Sequence, residues 1–293
     1  MGFKGIFENK SSVFKTAIFF LLIFVSAILH YFLALSLLSI FTDNGIALLQ
    51  NQDLSNQASV DNLKFIQLFS GLGLFITPTL IYSYLTNFDF QFNTITRQSI
   101  ILVFAIMILI TPFIGMILEW NMAIPFPKWI LKFDLNSEAF VDAFLQMSSI
   151  TDLFYTMLVI AVVPAIGEEL LFRGYLQQKF MNRLSNYHIA ILITAFLFSA
   201  IHFDLQAIVP RFALGVLLGY LYFWSRSLWL PILAHFINNA QVVILSFSKF
   251  KVRVLEESIL LDKGVDPIMG MFSFASVLLL LYILNQTITY NQD

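Results

Sequence analysis

The stretch FKTAIFFLLIFVSAILHYFLALSLLSIF, residues 14–41, decides the fold class of this chain. A transmembrane helix needs about 20 consecutive, mostly apolar residues, and this run exceeds that length with Lys15 and His30 as its basic side chains. It is also longer than the apolar part of a signal peptide, and no small-residue cleavage site of the A-x-A kind follows it. We therefore predict that it forms a retained first transmembrane helix.

Seven further apolar segments extend this prediction to an all-α, polytopic transmembrane bundle of about eight spans. They lie near residues 63–86, 98–120, 150–171, 187–203, 207–224, 228–247 and 269–288. The segments 187–203 and 207–224 are short and closely spaced, so we expect that they tilt or end part way across. The polar stretches 43–62 and 249–266 predict aqueous loops, and the mixed stretch 121–149 predicts an interfacial segment.

The composition of the whole chain agrees with a bundle that lipid solvates. Hydrophobic residues make up 59% and charged residues 12%, whereas soluble domains have about 45–50% and 25%. The net charge of −2 gives no bulk basic field, so we expect no nucleic-acid partner. The absence of cysteine excludes disulfides, a thiol nucleophile and thiolate metal sites.

The orientation of the bundle depends on its first helix. Lys4, Lys10 and Lys15 lie before or at the start of that helix, and the next Lys or Arg is Lys64. The positive-inside rule therefore places the N-terminus in the cytoplasm. With eight strict crossings the Lys and Arg residues of the whole chain divide evenly between the two sides, so the remaining loops do not strengthen this prediction.

Charged residues within the apolar segments are the most informative about function. A charge at mid-bilayer costs about 2.5–3.5 kcal/mol on insertion scales, so such residues usually have a role. The first group is GEELLFR, residues 167–173. Glu169 and Arg173 are four apart and can pair on one helix face, while Glu168 lies about 100° round the helix and remains available as a base. The alternative is a helix end at the interface with all three charges solvated.

Two further polar groups follow on the next apolar segments. His202 closes the group FSAIH, and HFINN places His235 and Asn239 four apart on one helix face. A structural alternative exists for each group. His202 can be a helix-end histidine bonded to a backbone carbonyl, and the His235–Asn239 pair can be interhelical polar contacts, which are common in membrane bundles.

The three groups in this order resemble one known family. E-E-x-x-x-R at Glu168–Arg173, F-x-x-x-H at Phe198–His202 and H-x-x-x-N at His235–Asn239 are similar to the motifs of the CAAX-protease and bacteriocin-processing (CPBP, or ABI) family of type II CAAX prenyl endopeptidases. The resemblance covers about residues 150–247. It implies that Glu168 and His202 activate the attacking water and that His235 and Asn239 stabilise the oxyanion. Glu169, Arg173 and Phe198 are expected to support this site.

The same resemblance implies an intramembrane endopeptidase that acts on membrane-associated proteins or peptides, such as CAAX-type tails or bacteriocin precursors. It divides a single membrane domain into N-terminal helices with an interfacial segment (1–149), a catalytic core (150–247) and a loop with a C-terminal helix (248–293). The family is often described as metalloproteases, which implies zinc on Glu168, His202 and His235. A glutamate-activated water without metal is equally compatible, and the H-E-x-x-H signature is absent.

Two other classes of protein remain open at this point. Intramembrane Glu, His and Arg also mark ion- or proton-coupled transporters, which often show paired repeats. Here the charged groups lie in the second half without a counterpart in the first, which favours an enzyme. A catalytically silent scaffold or immunity protein is the other alternative. For an enzyme, we expect the four residues Glu168, His202, His235 and Asn239 to converge within about 3–6 Å. We also expect the fourth helix to continue past Arg173 to about residue 180.

Overall fold

The predicted helical bundle is confirmed. The computed structural model describes residues 3–42, 53–127, 139–247 and 265–290. Within these ranges, eight helices correspond to the eight predicted segments. They are α1 (Ser12–Phe41), α2 (Gln57–Thr86), α3 (Arg97–Met122), α4 (Ile150–Met181), α5 (Tyr187–Ala200), α6 (Ile208–Ser225), α7 (Trp229–Ser246) and α8 (Pro267–Tyr290).

Seven of these eight helices are long and apolar enough to cross a membrane, and α6 is one of them when its preceding short turn is included. The exception is α5, which has 14 residues. Because a helix rises 1.5 Å per residue, α5 extends only about 21 Å, which is too short to cross a hydrocarbon core about 30 Å thick. The chain is thus a multi-pass membrane protein in which one predicted span is shorter than a full crossing.

The start of α2 differs from the prediction. The stretch 43–62 was expected to be a loop, but α2 begins at Gln57, capped by the side chain of Asn56. Ser59, Asn62 and Lys64 near this start are buried, and Lys64 Nζ donates to Thr156 Oγ1 of α4 at 2.9 Å. Contacts with other helices therefore bury polar residues that hydropathy alone predicts to lie in an aqueous loop. Much of the predicted interfacial segment and most of the loop 249–266 lie outside the described residues.

Helix α4 carries the first motif and is continuous through it. It ends at Met181, so the expectation that it continues past Arg173 is correct. Two stretches of α4 have π-helical hydrogen bonding, Met157–Val162 and Leu170–Gln177, and such stretches are frequent at functional sites. Gly167 lets α2 approach closely, since a Cβ atom there would lie 2.6 Å from Phe75 Cβ.

Helix α6 lies at the centre of the bundle and packs against α3 and α7. Its leucines form one buried cluster with side chains of those helices; the cluster includes Leu214, Leu218, Leu221, Val103, Ile106, Ala234 and Ile237. Against α5 the contact is closer still, because a Cβ atom at Gly215 would lie 3.1 Å from the Cα of Ala195. Small residues at such crossings let helices pack in lipid, where no hydrophobic force drives them together.

Candidate active site

Three of the predicted site residues meet between α4, α7 and the end of α5. Glu168 Oε2 lies 4.0 Å from His202 Nε2 and 3.9 Å from His235 Nε2. These residues are separated by 34 and 67 positions in the sequence, respectively, yet both imidazole rings face one carboxylate oxygen. That oxygen is buried and accepts no hydrogen bond from any residue that the structure describes. The predicted convergence is therefore observed for these three residues, and their catalytic role stays a prediction.

The tautomer of His202 follows from its contact with the end of α5. Its Nδ1 lies 2.8 Å from Phe198 O, and a carbonyl only accepts, so Nδ1 carries the proton. With the proton on Nδ1, an uncharged ring presents the Nε2 lone pair to Glu168. A helix-end histidine bonded to a backbone carbonyl accounts for the Nδ1 contact of His202 but not for the position of its Nε2 next to Glu168.

His235 is held by the other glutamate of the first motif. Its Nδ1 donates to Glu169 Oε1 at 2.9 Å. The same oxygen accepts from Arg173 Nη1 at 2.7 Å, as the spacing of Glu169 and Arg173 predicts, and Arg173 Nη2 donates to Gly215 O at 2.9 Å. Glu169 and Arg173 are fully buried. The cluster therefore ties α4 to α6 and α7 and fixes the ring of His235.

The contact between Glu169 and His235 limits what His235 can do. When the ring is neutral, the proton on Nδ1 leaves only a lone pair on Nε2, and such a ring cannot donate to an oxyanion. An imidazolium ring donates from both nitrogens, with Glu169 as its counterion. The oxyanion role that the family resemblance implies thus requires the protonated ring. No short spacing links Glu169 and His235, so sequence patterns carry no signal for this contact.

Phe198 and Asn239 lie beside the three central residues. The ring of Phe198 makes edge-on contacts with both imidazoles, at 5.3 Å from His202 and 5.7 Å from His235 between ring centroids, and its supporting role stays a prediction. Asn239 lies one helical turn from His235. Its Nδ2 donates to Ile160 O at 3.0 Å, and no hydrogen bond within the described residues joins it to Glu168 or either histidine. The convergence of Asn239 with these residues stays a prediction.

The predicted zinc ligands do not form a metal site as they are placed. With bonds of 2.0–2.1 Å, two ligand atoms of a tetrahedral zinc lie about 3.4 Å apart, which is less than the 3.9 and 4.0 Å observed from Glu168 Oε2. In the ranges that the structure describes, no group of three His, Asp or Glu side chains is positioned to hold a metal ion. The observed separations let one water lie about 2.8 Å from both atoms of each pair. Zinc stays a prediction.

Comparison with known proteins finds a match over the part of the chain that carries the three motifs. Residues 150–241 match the model of the family described as type II CAAX prenyl endopeptidase Rce1-like. The similarity to this family lies in these residues, which we call the Rce1-like segment. The Rce1-like segment contains all four predicted catalytic residues, and the family resemblance drawn from the three motifs is confirmed.

Curated relatives match over a similar length. The chain is 33% identical over 93 residues to the putative membrane peptidase YdiL of Bacillus subtilis, which is 30% of this chain and 36% of that protein. It is 28% identical over 90 residues to the membrane-embedded CAAX protease MroQ of Staphylococcus aureus, which is 29% of this chain and 36% of that protein. The match thus spans little more than a third of these relatives. No solved structure matches the chain.

Proposed function

We propose that this protein is an intramembrane endopeptidase in which Glu168 and His202 activate a water molecule. The observation that carries the proposal is the position of Glu168 Oε2, which is buried, accepts no hydrogen bond within the described residues, and faces two imidazole nitrogens at 3.9 and 4.0 Å. A carboxylate and an imidazole lone pair that face the same small space are suited to take a proton from a water molecule there. The Rce1-like segment and the similarity to the CAAX protease MroQ support the same class of reaction.

The proposed reaction uses only side chains of the site. The carboxylate of Glu168 removes a proton from water, with the Nε2 lone pair of His202 as a second acceptor. The oxygen of that water attacks the carbonyl carbon of the scissile peptide bond, and the carbonyl π electrons move onto its oxygen. His235, as imidazolium, and the second N–H of Asn239 are the proposed donors to this oxyanion. When the C–N bond breaks, the proton held by Glu168 passes to the leaving nitrogen.

The proposed substrates are proteins or peptides of the membrane. A site reached through helices of a lipid-solvated bundle suits a substrate that is already in the bilayer. MroQ is named as a CAAX protease, and we extend to this chain the two substrate groups that the family resemblance implies, CAAX-type tails and bacteriocin-like precursors. The transporter alternative predicts ion flux without cleavage.

The test is a cleavage assay with the purified full chain in proteoliposomes and a library of membrane-inserting peptides. We expect wild-type protein to cleave a subset of the library, and Glu168→Gln and His202→Ala to lose about 10²–10⁴-fold in rate, the usual contribution of a general acid–base group. His188→Ala is a matched control, because His188 lies at the opposite end of α5 and contacts Tyr220 OH. Equal cleavage by wild type and Glu168→Gln, or cleavage by neither, would refute the proposal.

A further inference from the structure

The turn between α5 and α6 carries a charged pair next to the proposed site. Arg211 Nη2 donates to Asp204 Oδ2 at 2.7 Å, and Nη1 reaches Asp204 O only at 3.5 Å. Both side chains are partly exposed, Arg211 at 30% and Asp204 at 18%. His202, two residues before Asp204, is exposed to a similar extent at 29%. Because Asp204 is two residues after His202 and is bonded to Arg211, the pair lies next to His202 in this turn.

The backbone of this turn is fixed by a neighbouring helix. Asn121, at the end of α3 and nearly fully buried, donates from Nδ2 to Leu205 O at 2.8 Å and accepts from Val209 N at 2.9 Å. Ser199 Oγ on α5 also donates to Ile208 O at 2.6 Å. Because these bonds bracket the turn on both sides, the guanidinium of Arg211 is presented from a fixed backbone. Its charge is close enough to act on His202.

The two arginines near the site differ in what they can bind. Both place their charge near Glu168. Arg173 is fully buried, and its two terminal nitrogens already donate to Glu169 and Gly215. Arg211 has five N–H donors, of which Asp204 takes one at a short distance and one at a long distance. Arg211 is thus the arginine of the two that can accept another anionic partner.

We propose that Arg211 binds a carboxylate of the substrate peptide on the His202 side of the scissile bond. This inference rests on the proposed peptidase function and adds a specificity-determining contact to it. A carboxylate that enters a site within the bilayer needs a counter-charge, and the planar fork of a guanidinium matches a carboxylate in two parallel hydrogen bonds. Asp204 holds the fork in place before substrate arrives. The carboxylate belongs either to the C-terminus of the peptide or to an Asp or Glu side chain.

The first measurement compares pairs of peptides taken from those that the wild-type protein cleaves. One pair has the same sequence with a free C-terminal acid or a C-terminal amide, and a second, amidated pair has Glu or Gln beyond the scissile bond. We expect kcat/KM to favour the carboxylate member of one pair by about 10- to 100-fold, mainly through KM, as for a charge-assisted hydrogen bond. The pair that responds identifies the source of the carboxylate. Arg211→Gln should reduce the ratio to about one, and Arg211→Lys should restore part of it.

The second measurement does not require cleavage. We would use three labelled apolar hexapeptides: one with a free C-terminal acid, one with a C-terminal amide, and one with a C-terminal amide and an internal Glu. Their binding to the full-chain Glu168→Gln variant in lipid nanodiscs is measured by fluorescence anisotropy. We expect a carboxylate peptide to bind about 10- to 100-fold more tightly than the neutral amide, and the added change Arg211→Gln to remove the difference. If this holds while wild type cleaves nothing, the binding site stands and the peptidase proposal fails.

Asp204→Asn separates substrate binding from a purely structural role of the pair. This variant removes the ion pair and keeps the guanidinium, so a binding role predicts that the preference for carboxylate peptides is kept or increased. A role only in holding the turn predicts that Asp204→Asn and Arg211→Gln lower the rates for acid and amide peptides equally and lower the melting temperature together. That result, or equal binding of all three hexapeptides to Glu168→Gln, would overturn the proposal even where cleavage depends on Glu168.

Discussion

Glu169 Oε1 lies 2.9 Å from His235 Nδ1, so the second glutamate of the motif on α4 orients the histidine that faces the first glutamate. The adjacent residues Glu168 and Glu169 thus reach His235 from two directions, one at each ring nitrogen. The ring cannot turn without losing the Glu169 contact, which keeps its Nε2 directed at Glu168. Two neighbouring carboxylates with different partners can therefore have different tasks.

The first prediction concerns this contact. Glu169→Gln keeps the size of the side chain and removes the counterion of a charged His235, so we expect the cleavage rate to fall by about 10–100-fold, as when a residue that orients a functional histidine is replaced. The measurement is kcat and KM on one peptide, and we expect the fall in kcat rather than a rise in KM. Gln177→Glu is not a suitable control because it adds a buried charge, whereas Asn238→Ala changes a polar residue of α7 near His235 without touching Glu169. A Glu169→Gln variant with wild-type kcat would contradict the positioning role.

The second prediction concerns the stability that Arg173 provides. Arg173→Ala leaves Glu169 fully buried without its guanidinium partner, and removing one member of a buried ion pair costs about 3–5 kcal/mol. We expect a lower yield and a lower melting temperature of the protein in detergent. Gln177→Ala is the matched control, since Gln177 donates to Gly219 O at 2.9 Å one turn further along the same helices and loses only a neutral hydrogen bond worth about 0.5–1.5 kcal/mol. A stable but inactive Arg173→Ala protein would show that the arginine acts in the chemistry instead.

The third prediction concerns Asn239. If its second N–H donates to the oxyanion, Asn239→Ala should lower kcat by about 10²–10³-fold. Asn238→Ala is again the control, because Asn238 contacts the Oδ1 of Asn239 but is not a proposed donor. The melting temperature of both variants separates chemistry from the contact that Asn239 makes with Ile160 O. A loss of activity that only parallels a loss of stability would assign Asn239 to helix packing.

These residues also show what the sequence can and cannot predict. The pairing of Glu169 with Arg173 follows from helix periodicity alone, because residues four apart share a face. The contact of Glu169 with His235 depends on how α4 and α7 cross, which no local spacing encodes. Helix α2 begins before the predicted position because burial of Lys64 and its neighbours depends on other helices. The location of Arg211 beside His202 likewise depends on the turn held by Asn121.

The fourth prediction tests the zinc set. Zinc held by Glu168, His202 and His235 predicts about one zinc per chain by elemental analysis, loss of cleavage on chelation and loss of zinc in His202→Ala. Asn239→Ala should keep the metal, since Asn239 is not in the predicted set. Side-chain shifts would be needed to bring the three donor atoms together, because Glu168 Oε2 is 3.9 and 4.0 Å from the two nitrogens. If zinc-free protein remains active after exhaustive chelation, the zinc prediction is wrong and the mechanism with a glutamate-activated water is supported.

The last prediction concerns orientation, for which the structure supplies a link between two helices. Lys179 Nζ near the end of α4 donates to Ser12 Oγ at the start of α1 at 3.1 Å, so these two helix ends lie on the same side of the bundle. If Lys4, Lys10 and Lys15 hold the N-terminus in the cytoplasm, the end of α4 is cytoplasmic as well. Glu168 then lies 11 residues, or about 17 Å along the helix axis, from that end, near the middle of the bilayer.

Cysteine labelling is suited to this test because the chain contains no cysteine. A cysteine at Lys179 should react with a membrane-impermeant maleimide in inverted vesicles and remain unlabelled in intact cells. A cysteine at Ser55, an exposed residue just before α2, is the matched control and should show the opposite pattern, because α1 separates it from Ser12. Labelling of the Lys179 position in intact cells, with Ser55 protected, would reverse the orientation. Since Lys179 and Glu168 are on one helix, that result would also place the end of α4 that follows Glu168 on the outer side.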